Sequence, residues 1–116
     1  GTSGAWLGLE SDRKLCATIT QETGLPCTTA TLALFDALAA LGARRIGLVT
    51  PYLNTVQTAI IENFAGLGVE TIIERHLEDP GNYSSAEHSA ARVDALVREA
   101  ADVYRQRNML KRPPAF

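Results

Sequence analysis

The chain has 116 residues, 46% of them apolar and 21% charged, with a formal net charge of -2. That balance is too apolar for a disordered chain, has no basic excess to attract nucleic acid, and contains no uncharged run long enough to cross a bilayer. Nucleic-acid and membrane partners are therefore set aside, and the length fits one domain around a single core. No charged segment followed by an apolar one opens the chain, and the two cysteines, Cys16 and Cys27, have no regular spacing. They read as reduced thiols, so a cytoplasmic location is expected.

The opening "GTSGAWLGLE" reads as a glycine-spaced loop, with Thr2 and Ser3 offering hydroxyls beside free amides. The segment "ESDRKLCATITQETG" then sets Leu15 and Ile19 at helical spacing, with acidic residues early and Gly24 past the end. After a short extended step through Pro26, "TLALFDALAALG" is apolar around nearly its whole surface and stops at Gly42, which predicts a deeply buried helix. The run "RRIGLVTPY" predicts a strand buried on both faces and ended by Pro51.

"NTVQTAIIENFAGLG" predicts a helix from Asn54 or Thr55, with Val56, Ile60 and Phe64 at steps of four and Gly66 and Gly68 closing it. "VETIIERH" predicts a second strand. A Pro-Gly turn leads to a last helix, "SAEHSAARVDALVREAADV", capped by Ser84 or Ser85. Helices alternating with short apolar strands imply right-handed crossovers, hence an α/β fold with a parallel sheet and helices on both faces. The tail "YRQRNMLKRPPAF" breaks the alternation, with four basic residues and two prolines where a strand is due. The sequence therefore divides into an α/β domain over 1–103 and an atypical basic tail over 104–116, read as an exposed end.

In a parallel α/β sheet ligands bind at the carboxyl ends of the strands. By this reading three loops share that edge: "GTSG" at 1–4, "TPYLNT" at 50–55 and "EDPGNYSS" at 78–85. Their hydroxyls and amides suit a small carboxylate held through neutral hydrogen bonds, although the same residues also make up ordinary turns. Cys16 and Cys27 read as small core residues, His76 and His88 as surface histidines without metal-ligand spacing, and Trp6 as a packing residue.

The combination of "GTSG", "GLPCTTA" and "ALGARRIGLVTPY" resembles the aspartate/glutamate racemase superfamily, in particular its maleate isomerase and arylmalonate decarboxylase branch. Ectoine-utilisation proteins are similar to this branch as well. The resemblance runs from Gly1 to about Val103 and implies a partial chain: a three-layer α/β sandwich with a short parallel sheet, belonging to a fold of two similar halves whose flanking strands are missing. It also implies chemistry without cofactor or metal at the carbon next to a carboxylate, with thiols working on opposite faces of the substrate.

In racemases and isomerases of this kind a cysteine directly precedes a Thr-Ser pair. Here Gly1 holds that place, as glycine does in the arylmalonate decarboxylases, and the later cysteine loop of the family has no counterpart in the chain. The resemblance assigns Thr2 and Ser3 an oxyanion-hole role in catalysis, and Gly1, Tyr52 and Asn82 to substrate binding. It implies a small mono- or dicarboxylic acid as substrate and is compatible with a homo-oligomer. Two other readings stand beside it. One is a non-catalytic α/β anion-binding module or inactive truncated copy. The other is a chain that barely folds alone, with apolar surface exposed.

Overall fold

The structure, a computed structural model, describes residues 2–79, 87–107 and 115–116, with the backbone alone at residues 2 and 3. The chain forms two compact units, Gly1–Ala43 and Arg44–Phe116.

The first unit is helical throughout: α1 (Thr2–Leu7), α2 (Leu9–Thr23) and α3 (Ala30–Leu41). The opening stretch, expected as a loop, is therefore helix from Thr2, and the Gly8 amide still bonds the Gly4 carbonyl at 3.1 Å as in a regular turn. The reason lies in packing. Gly4 is buried, and a Cβ there would overlap the Asp12 carboxylate, so this glycine serves close approach rather than a loop. Gly8, at φ 98°, makes the break before α2. The Thr29 hydroxyl donates to Asp12 Oδ2 at 2.5 Å and accepts the Leu32 N–H at 3.2 Å, so one side chain caps α3 and ties it to α2. Gly24 and Gly42 end α2 and α3 in the left-handed conformation, as their positions predict.

The expected deep burial of α3 does not occur. Thr31 and Leu38 are buried, whereas Leu34 is 45% and Leu41 75% exposed. On α2, Leu9 and Cys16 face inward while Leu15 and Ile19 are exposed, and Trp6, expected to pack, is half exposed. A helix that is apolar all round needs neighbours on every side, and a three-helix unit covers only one stripe of each member.

The second unit runs β1 (Arg45–Thr50), α4 (Asn54–Gly66), β2 (Glu70–His76) and α5 (Ala90–Arg107). The two strands pair in parallel from Arg45↔Glu70 to Thr50↔His76, with one irregularity between Ile46 and Gly47. Successive strand residues alternate faces. On one face Val49 and Ile73 pack with Ala100, Val103 and Tyr104 of α5, Arg75 Nε lies 3.3 Å from Glu99, and Arg45 donates to the Tyr104 hydroxyl at 3.1 Å. On the other, Thr50 and Glu74 meet Gln57 of α4. Within this unit a helix thus covers each face of a parallel sheet, the three-layer α/β arrangement expected.

Ile60 and Phe64, two of the three apolar residues predicted to face inward from α4, are 2% and 3% exposed. The predicted caps of the last helix, Ser84 and Ser85, lie outside the described residues. Ser89 does that work instead: its hydroxyl accepts the Arg92 N–H at 3.1 Å one residue before α5.

The end of the tail, expected as an exposed terminus, pairs with the sheet. Ala115 forms a parallel bridge to Ile46, with the Gly47 N–H on its carbonyl at 2.6 Å and its own N–H on the Arg45 carbonyl at 3.0 Å. Those β1 groups would otherwise form an unpaired edge, and satisfying them outweighs the polar character of the segment. The Phe116 ring lies where a side chain at position 47 would stand. Gly47→Val is therefore expected to expel Phe116 and lower stability by about 1–3 kcal/mol through overpacking, read as a lower melting temperature in circular dichroism.

Candidate functional site

Both strands of the second unit end at the same edge. After β1 the chain continues through Pro51, Tyr52 and Leu53, and after β2 through Leu77, Glu78 and Asp79. Backbone bonds join these two loops: the Glu78 N–H donates to the Tyr52 carbonyl at 3.1 Å and the Asp79 N–H to the Pro51 carbonyl at 2.8 Å. Two of the three loops assigned to this edge from the sequence are thus brought together. Glu78 reaches its partner with φ 55°, the one non-glycine positive φ among the described residues. Such a conformation costs on the order of 1–3 kcal/mol and persists where surrounding bonds over-determine it.

Beneath the loops lies a chain of polar contacts. Gln57, 1% exposed, accepts the Thr50 hydroxyl on Oε1 at 2.6 Å and donates from Nε2 to Glu74 Oε2 at 3.2 Å. The same Nε2 lies 3.4 Å from the Arg75 carbonyl and 3.5 Å from that of Leu48. Thr50 Oγ1 in turn accepts the Tyr52 N–H at 3.3 Å. The buried glutamine is satisfied on both ends, which is what allows a primary amide to sit in the core.

His76 stands between two carboxylates, with Nδ1 at 2.7 Å from Glu74 Oε2 and Nε2 at 2.6 Å from Glu78 Oε1. The hydrogen bond to Glu74 foremost, with Glu78 adding, raises its pKa above the ordinary histidine value against the opposing effect of partial burial. His88, which precedes α5 rather than lying within a helix, is 3.0 Å from Asp79. The expectation of a surface histidine is corrected for His76, whose side chain is only 18% exposed between its two acids, while His88, 29% exposed, is paired with Asp79. The signal that could have found this cluster is the spacing Glu74-x-His76-x-Glu78, whose step of two puts Glu74 and His76 on one face of a strand and continues into Glu78.

Of the residues assigned from the sequence, Tyr52 is half-buried on this edge, its backbone gripped from both sides. Gly1, the side chains of Thr2 and Ser3, and Asn82 lie outside the described residues. Cys16 is buried in α2, and burial pushes its thiol pKa up, with Cys27 and Asp12 adding. It is thus held as a thiol, the state of a packing residue rather than of a nucleophile. Cys27 is half-buried in the step before α3. Among the described residues no group of three or more His, Cys, Asp or Glu converges as a metal cage would, and no helix is long and apolar enough to cross a membrane.

The sequence model described as arylmalonate decarboxylase matches residues 1–108. Among curated relatives, the maleate isomerase of Geobacillus stearothermophilus is 28% identical over 90 residues, covering 77% of this chain and 36% of the relative. The arylmalonate decarboxylase of Bordetella bronchiseptica is 41% identical over 49 residues, 42% of this chain and 20% of the relative. A crystal structure of arylmalonate decarboxylase superposes with TM-score 0.76 at 30% identity, covering 88% of this chain and 45% of that one. The maleate isomerase of Pseudomonas putida S16 superposes with TM-score 0.68 at 28% identity, over 76% and 36%. The chain spans less than half the length of each of these proteins. On the match across residues 1–108, the chain belongs to the arylmalonate decarboxylase family, in the branch of the Asp/Glu racemase superfamily that includes the maleate isomerases.

Proposed function

We propose that this chain carries the carboxylate-binding part of a cofactor-independent decarboxylase or isomerase, one that acts at the carbon next to a carboxylate of a small mono- or dicarboxylic acid in the cytoplasm. The observation that supports this reading most is the Tyr52 loop, fixed at the carboxyl edge of a parallel sheet by bonds from both sides. There the Tyr52 hydroxyl is the group that holds a substrate carboxylate. The family resemblance gives Thr2 and Ser3, following Gly1, the role of donors to the charge that develops as the carbon–carbon or carbon–hydrogen bond breaks, and gives Asn82 a part in substrate binding. Cys16 takes no part in this assignment, because it is a buried packing residue.

The test is a chimera in which residues 1–108 replace the matching segment of the Bordetella arylmalonate decarboxylase, assayed for loss of carbon dioxide from phenylmalonate. Decarboxylation is the expected result. Tyr52→Phe in that chimera should lower kcat/KM by about 10- to 100-fold, the worth of one hydrogen bond to a charged group. A well-folded chimera that binds phenylmalonate without turnover would instead favour the anion-binding module. That second reading has one observation of its own: both cysteines, Cys16 and Cys27, belong to the first unit, and the second unit, which carries the Tyr52 loop, contains none.

A further inference from the structure

The polar contacts under Tyr52 close on themselves, and His76 is where they meet. In one direction the path runs from His76 Nδ1 to Glu74, from Glu74 to the Gln57 amide, from Gln57 to the Thr50 hydroxyl, and from Thr50 to the Tyr52 N–H. In the other, it runs from His76 Nε2 to Glu78, whose Oε2 accepts the Asn54 N–H at 3.3 Å and whose own N–H holds the Tyr52 carbonyl. Tyr52 is therefore held on its amide side through Glu74 and on its carbonyl side through Glu78. One imidazole bridges the two carboxylates.

We infer that His76 and Glu78 are positioning residues for Tyr52, setting the backbone of the 50–54 loop through this closed circuit and so placing the tyrosine for a carboxylate ligand. The inference rests on the reading of Tyr52 as the carboxylate contact. Both ring nitrogens face acids, so the circuit is complete only when both carry protons; a neutral imidazole donates from one nitrogen and turns a lone pair toward the other carboxylate. The charged groups facing His76 are Glu74 and Glu78; α4 contributes the neutral Gln57, and Arg75 points to the opposite face toward Glu99. Because the fold favours the imidazolium, the support is present at low pH and is lost as pH rises through the histidine's raised pKa.

The experiment follows the Tyr52 and Asn54 amide resonances of the full chain by NMR against pH, together with its affinity for maleate, which is a dianion above neutral pH. The variants are His76→Gln, Glu78→Gln, His88→Asn and Tyr52→Phe. Both amides should titrate together with His76, and maleate affinity should fall by about 3- to 10-fold across that titration, the range of one net hydrogen bond. His76→Gln should flatten both responses, and His88→Asn should leave them in place. Glu78→Gln keeps an acceptor for Asn54 but removes one charge facing His76, so the midpoint should move to lower pH; this result carries the test if His76→Gln does not fold. Amides that titrate unchanged in His76→Gln, or in no variant at all, overturn the positioning role. If the amides follow His76 but maleate does not bind, or binds Tyr52→Phe equally well, the carboxylate reading falls and takes the positioning role with it, while the circuit itself stands demonstrated.

Discussion

Phe64→Ala is expected to lower the unfolding free energy by about 3–5 kcal/mol, the usual cost of emptying an aromatic site in a core that cannot collapse around it. Phe64 is 3% exposed on α4, one turn beyond the equally buried Ile60, and α4 packs on β2. The entire stability of a small domain is about 5–15 kcal/mol, so the variant should retain a minor part of it at best. The same helix carries Gln57, two turns toward its start. Chemical denaturation followed by circular dichroism should show the midpoint displaced to much lower denaturant, and signals from Thr50 to Asn54 should lose protection along with the core. A loss below 1 kcal/mol would mean that α4 is not seated on the sheet as described.

Gln57→Glu should cost nearly as much, about 3 kcal/mol at neutral pH, without removing a single heavy atom. The exchange replaces an amide that donates to Glu74 with a second carboxylate facing it, at a position only 1% exposed. Burial and the like charge both push the pKa of the new carboxyl up. The sign follows from that direction: the penalty is present above the raised pKa and shrinks as pH falls through it, because the protonated acid again offers a donor to Glu74. Unfolding measured at several pH values should therefore bring variant and wild type together toward acid. Parallel stability curves would show that the amide N–H groups of Gln57 carry no weight, and the polar path from Glu74 to Thr50 would lose its energetic basis.

The strand–helix–strand order of residues 45–76 is legible because its signals are local: apolar runs of strand length, Pro51 at a strand end, and a step of four from Val56 to Phe64. The ends of α2 and α3 are legible for the same reason, since Gly24 and Gly42 relieve a left-handed backbone whatever surrounds them. The family is legible through the resemblance of "GTSG", "GLPCTTA" and "ALGARRIGLVTPY", and the match over residues 1–108 bears that resemblance out. The opening glycines are the instructive failure. Gly4 looks the same whether it frees a loop or lets Asp12 approach a helix, and only the packing of α1 against α2 decides between them.

The sequence by itself determined the α/β class, the order and most of the limits of the elements beyond the opening stretch, and the edge at which the strands end, because each depends on periodicity or on a residue's own backbone preference. Tertiary structure alone decided which polar residues meet. Gln57, Glu74, His76 and Glu78 come from a helix, a strand and the loop beyond it, and become one circuit only when α4 lies across β2. It also decided that Ala115 pairs with β1 and that α3 leaves Leu34 and Leu41 exposed. A hydrogen bond or a buried face is a relation between distant segments, and its free energy is realised only once both have been brought into contact.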